Sequence, residues 1–134
     1  MGEFLFKELT FAIIGAAMDV HTVLGPGFLE DIYQAALERE WTVREIPFVA
    51  QQHVPVEHKG AVIADYYLDP VVEEKVVVEL KAVSELAPAH ESQLLSYLNA
   101  SHLRVGLLFN FGETRLRHKR LAISLSVKSV SSVG

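Results

Sequence analysis

The sequence predicts a mixed α/β (α+β) domain in which helices flank a central sheet. Three observations carry that expectation. Two helical patterns separated by a Gly-Pro-Gly corner open the chain, strand-like segments joined by a charged turn occupy its middle, and a third helical pattern leads into a nearly all-apolar strand.

From Leu5 to Val23 the apolar positions Leu5, Leu9, Ala12, Ile13, Ala16, Ala17 and Val20 recur every three or four residues, so one side of a helix is buried. Gly25, Pro26 and Gly27 end it. A second helix follows with Phe28, Leu29, Ile32, Tyr33, Ala36, Leu37 and Trp41 as its apolar positions. Glu30 lies in its first turn, where the helix dipole favours an anion, and Tyr33 lies three residues on along the same face.

Ile46 to His58 alternates apolar and polar residues but carries Pro47 and Pro55, so it reads as an edge-like strand. Lys59 and Gly60 turn the chain, and Ala61 to Val72 returns as a second strand. Its end, Tyr66 to Val72, and the run Val76 to Val83 flank Glu73, Glu74 and Lys75, which marks a hairpin with a loop of about three residues. A loop centred on Glu74 sets Asp69 opposite Glu79, with Cβ atoms roughly 4.5–5.5 Å apart. Glu79 and Lys81 share one face of their strand, while Val78, Leu80 and Ala82 point to the other. Pro70 removes a ladder hydrogen bond beside Asp69, so a bulge or bend is expected there.

Two opposed carboxylates on a half-buried hairpin destabilise it unless something compensates. A divalent cation held by hard oxygen ligands does so, and Lys81 beside it can stabilise an anion or hold a water. An E-x-K pair by itself also suits a solvated strand face; Asp69 at the matching register is what singles this pair out.

Pro88 suits a first helical position, and Leu94, Leu95 and Leu98 support a helix to about Ala100. On it His90, Gln93 and Tyr97 form a polar stripe beside the leucines. Arg104 to Phe111 reads as a buried strand, reached through the helix and therefore suited to parallel pairing. After a turn at Gly112 and Glu113 comes a basic stretch to Arg120, either a solvated face or a phosphate-binding strip. The tail from about Leu121 alternates through Val127, consistent with one more strand or a frayed end.

With 134 residues, half of them hydrophobic, the chain is expected to form one domain over 1–134 with a real core. It has no cysteine, which excludes disulfides and thiolate metal sites. Seventeen acidic against twelve basic residues give a net charge of −5, the wrong sign for coating nucleic acid electrostatically. No apolar run reaches the roughly 18 residues of a membrane span, and the N-terminus lacks a basic region ahead of a hydrophobic one. A cytoplasmic protein with no membrane partner is expected.

The order helix, helix, three antiparallel strands, helix, strand, with Asp69, Glu79 and Lys81 on the hairpin, resembles the core of the PD-(D/E)XK nuclease superfamily, a restriction-endonuclease-like fold. Gly27 to Tyr33, GFLEDIY, resembles the motif of the GxxExxY family, and the likeness extends through VELKAV, QLLSYL and GLLFNFG, to about Leu121. The resemblance implies a metal-dependent phosphodiester hydrolase using Mg2+ or Mn2+. Asp69 and Glu79 would then be metal ligands, Lys81 the residue that positions or activates water, and Glu30 an added direct or outer ligand. All four count as candidate catalytic residues. Gln93 and Tyr97 resemble a Q-x3-Y element and are candidate substrate contacts. The sequence departs from the superfamily pattern at Leu68, which stands where a proline usually precedes the aspartate.

The implied partner is nucleic acid, DNA ahead of RNA, and the small acidic chain is expected to work as a homodimer or in a larger complex. Two other functions remain open at this point: an inactive module of the same fold that binds nucleic acid or protein, and a hydrolase of nucleotides or other phosphoesters. Glu30 is equally explained as a partner of the helix dipole, and Tyr33 reads as a core residue with a bonded hydroxyl. His21 and His90 are not counted as metal ligands.

Overall fold

The computed structural model describes residues 5–124. Helix α1 (Lys7–Leu24) and helix α2 (Glu30–Val43) come first along the chain. Thr10, Ile13, Ala16, Ala17, Val20 and His21 make the buried side of α1, and Tyr33, Leu37 and Trp41, four apart, that of α2. Gly25 (φ 69°) ends α1 in the left-handed region, donating its N–H to His21 O at 2.8 Å. The Tyr33 hydroxyl donates to Gly25 O at 2.5 Å and accepts from Phe28 N–H at 3.1 Å. The corner is thus tied to the helix that follows it, as expected of a core tyrosine with a satisfied hydroxyl.

The strands are β1 (Phe48–Val49), β2 (Gln52–His58), β3 (Ala61–Leu68), β4 (Val71–Val72) and β5 (Val76–Lys81). Helix α3 (Pro88–Ser101) and strands β6 (Val105–Asn110) and β7 (Arg117–Ala122) complete the chain. The main sheet has the order β1-β4-β5-β6-β7, while β2 and β3 pair only with each other. β5 and β6 run parallel, and α3 is the crossover between them.

Two expected strands are each divided. Ile46 to His58 contributes β1 to the main sheet and β2 to the ribbon, and Ala61 to Val72 contributes β3 to the ribbon and β4 to the main sheet. The second break falls at Asp69 and Pro70, the place where a bend was expected. Near the C-terminus the last strand is the basic stretch itself, Arg117–Ala122, antiparallel to β6. The strand expected from about Leu121 through Val127 overlaps it only at Leu121 and Ala122, and residues 125–134 lie outside the described residues.

Val76, Val78, Leu80, Leu107 and Phe109 face the core built with α1 and α2. Val71, Val77 and Leu108 face Leu94 and Leu98 of α3, with Val54 of β2 beside them. A Cβ on Gly106 would sit 2.9 Å from Leu94 Cδ1, so a missing side chain there lets α3 press onto β6. No helix among the described residues is long and apolar enough to cross a membrane.

Candidate active site

Val76, Val78 and Leu80 take one face of β5 and Val77 the other. Alternation therefore puts Glu79 and Lys81 on the α3 side of the sheet. Glu79 is 3% exposed, and its Oε2 lies 3.6 Å from Lys81 Nζ. Lys81 Nζ also donates to Gln93 Oε1 at 3.4 Å, and Gln93 Nε2 donates to the Tyr97 hydroxyl at 3.1 Å. The stripe on α3 thus meets the strand that carries the acid and the amine.

Asp69 arrives from the bend between β3 and β4. Pro70 is buried there, and its carbonyl accepts from Val78 N–H at 2.8 Å. The rungs Val71 with Val77 and Val72 with Val76 have the register expected for a loop centred on Glu74. The ladder stops before Asp69, yet its carboxyl comes close enough to Glu79 to raise that residue's pKa. Glu30, at the first residue of α2, is near enough to feel Lys81 and Asp69.

The electrostatics follow from this crowding. Burial first, then the charge and hydrogen bond of Asp69, push Glu79 up to about 8 against a smaller lowering by Lys81. This crowding favours the protonated form of Glu79 at neutral pH. Partial burial raises Glu30, with Lys81 opposing and Asp69 and Asp31 adding to the shift. Tyr97 is raised by burial and then by Glu79 and Asp69.

Glu79 Oε1 is shielded from solvent and has no hydrogen-bond partner. Such an orphaned acceptor costs about 1–3 kcal/mol, more when charged. A hard divalent cation would supply the missing interaction, and two carboxylates with no thiolate suit one that keeps several waters. Among the described residues no three histidine, aspartate or glutamate side chains gather tightly enough to hold a metal. Asp69 and Glu79 thus meet as a pair, and Glu30 stands nearby without closing a three-ligand group.

The other candidates lie elsewhere. His90 Nδ1 accepts from Ala87 N–H at the start of α3, and His21 Nε2 is 2.9 Å from Glu113 O. In the basic stretch, Lys119 pairs with Glu91 at 2.6 Å, Arg117 with Glu113 at 3.4 Å, and Arg120 donates to Leu5 O at 2.8 Å. These cations already have partners, which fits a structural face better than a bare phosphate strip.

A family model for the PD-(D/E)XK nuclease superfamily matches residues 7–121. The chain belongs to that superfamily. Its mixed five-stranded sheet flanked by helices is the superfamily fold. A crystal structure of SSO0001 has the same fold, with a TM-score of 0.56 at 18% identity. The likeness covers 77% of this chain and 56% of that one, so this chain spans little more than half the length of SSO0001. No curated protein matches the sequence. PD-(D/E)XK nucleases generally use divalent metals and act on nucleic acid, and the oxygen donors on β5 and at the β3–β4 bend suit such an ion.

Asn110 was not singled out by the sequence reading. It is fully buried, donates from Nδ2 to Val83 O at 2.9 Å and Glu113 Oε2 at 2.7 Å, and accepts at Oδ1 from Val83 N–H and Gly112 N–H. It thereby pins the chain two residues beyond Lys81. The available signal was one amide inside the otherwise apolar run GLLFNF.

Proposed function

We propose that this domain hydrolyses phosphodiester bonds in nucleic acid, DNA ahead of RNA, with Mg2+ or Mn2+ held by Asp69 and Glu79. The observation that carries this reading is the buried, partnerless Oε1 of Glu79 next to a second carboxylate and an ammonium. When bound, such an ion stabilises charge on the phosphoryl oxygens and makes water a better nucleophile. Lys81 stands ready to orient water or to meet the charge that develops on phosphorus oxygens. Gln93 holds the Lys81 ammonium in place, and Tyr97 holds Gln93. Glu30 acts at the edge of the site, as an outer ligand through water.

The stretch from Gly27 to Tyr33 supports placing the chain in the GxxExxY group, with Tyr33 as the lock of the corner that presents Glu30. Its small size and acidic balance support action as a homodimer or within a larger complex.

The test is metal-dependent cleavage of single-stranded, duplex and branched DNA and of RNA by wild type, Asp69→Ala, Glu79→Ala and Lys81→Ala. Cleavage by wild type alone is expected, and equal cleavage by all four proteins would overturn the enzyme reading. Titration calorimetry with manganese should show binding that Asp69→Ala and Glu79→Ala abolish.

A further inference from the structure

A groove of about 750 Å3 lies between the β2–β3 ribbon and the C-terminal half of α3. Its volume falls within the roughly 300–1,000 Å3 typical of sites for nucleoside-sized ligands. One wall carries Gln52, His53, Glu57 and Tyr66, and the other Ser96, Asn99 and His102. No lysine or arginine lines it among the described residues. Duplex binding is dominated by phosphate contacts from exactly those two residue types, so the groove is poorly equipped for a duplex backbone. Its amides and hydroxyls beside an aromatic ring instead match the edges and faces of unpaired bases, with Glu57 able to accept from a base amino group.

One wall of the groove is linked to the carboxylate site through side-chain contacts. The Tyr66 ring meets Tyr97 edge-on with centroids 5.0 Å apart, and Tyr97 is joined through Gln93 to Lys81. Ser96 precedes Tyr97 on α3, and Asn99 follows within one turn.

We infer that this groove receives an unpaired nucleotide adjacent to the scissile phosphodiester, so that the domain selects single-stranded or splayed nucleic acid over continuous duplex. The inference rests on the proposed hydrolysis of nucleic acid and adds its substrate class. Tyr66 meets a base, Asn99 and Gln52 read base edges, and the strand runs on past Tyr97 toward the carboxylate pair.

Fluorescence anisotropy with a short labelled single strand and the matching duplex, with calcium as the divalent ion, tests this. Wild type is expected to bind the single strand about tenfold or more tighter than the duplex. Asn99→Leu and Ser96→Leu, both at exposed helix positions, fill the groove and should each weaken single-strand binding about tenfold with an unchanged melting temperature. Equal affinity for single strand and duplex, or wild-type affinity in both variants, would overturn the inference. Hydrolysis of bis(p-nitrophenyl) phosphate by wild type and its loss in Asp69→Ala report on the carboxylate site separately, because that small diester does not extend into the groove.

Discussion

The two faces of the main sheet solve different problems. Beneath α1 and α2, Ile13, Tyr33, Leu37, Trp41, Leu80, Phe109 and Phe111 are fully or almost fully buried in one cluster that holds no carboxylate or ammonium. Beneath α3 the apolar cluster is smaller, built on Val71, Val77, Leu94, Leu98 and Leu108, and β5 adds Glu79 and Lys81 on that side. The first face supplies the stability against which the second can hold two acids in contact. Charge repulsion that would unravel a lone hairpin is tolerable on a strand whose other side is anchored in the core.

If that division holds, damage to the two faces should separate function from stability. The largest effect expected is on catalysis: Asp69→Asn and Lys81→Ala should each lower cleavage by roughly 10²–10⁴-fold, while circular dichroism melts stay within a few degrees of wild type. Next comes Phe109→Ala on the other face, which should cost about 3–5 kcal/mol in urea unfolding. A loss below about 1 kcal/mol would mean that this side is not the anchor. Gly112→Ala should cost about 1–3 kcal/mol, because a Cβ there would stand 2.3 Å from Val83 O.

The acid pair gives a test of opposite sign. In metal-free buffer above about pH 8, where Glu79 is charged, Glu79→Gln should raise the melting temperature by removing repulsion with Asp69; a clear drop would separate the two groups. The folded protein holds the Glu79 proton up to about 8, against an ordinary value of 4.5. Between those values the native state binds more protons than the unfolded chain, so stability falls as pH rises. Metal-free melting temperatures should therefore decline from about pH 4.5 to about pH 8, and a saturating divalent cation should flatten the slope. The smallest effect is at the turn, where Glu74 adopts φ 59°. Glu74→Gly should add about 1 kcal/mol or less, measurable in urea without any change in cleavage.

Much of this contrast was legible in the residues themselves. The spacing of Ile13, Ala16, Ala17 and Val20, and of Tyr33, Leu37 and Trp41, marks the anchored face. The turn at Glu73 to Lys75 sets the register of Val71 with Val77 that brings Asp69 toward Glu79. The apolar run after α3 marks the parallel partner of β5. What escaped was the exchange of partners within a strand: alternation continues through Ala50 and Gln51 although β1 and β2 belong to different sheets. Alternation records which side is buried and says nothing about which neighbour is bonded. The pairing of Lys119 with Glu91 and the closure of Asn110 on Val83 bridge residues 28 and 27 positions apart, and no local pattern encodes them.

Glu79 forms a rung with Leu108, and the stretch between them contains all of α3. Its other neighbour, β4, offers two rungs, Val71 with Val77 and Val72 with Val76, and an isolated hairpin is marginal in water. A nascent chain leaving the ribosome therefore carries both acids in solvent, uncommitted, until β6 has emerged and α3 has swung across. Cation capture by the proposed site would come late in synthesis, after most of the scaffold is in hand. A chain stalled before Val105 should accordingly be a poor scavenger of divalent ions.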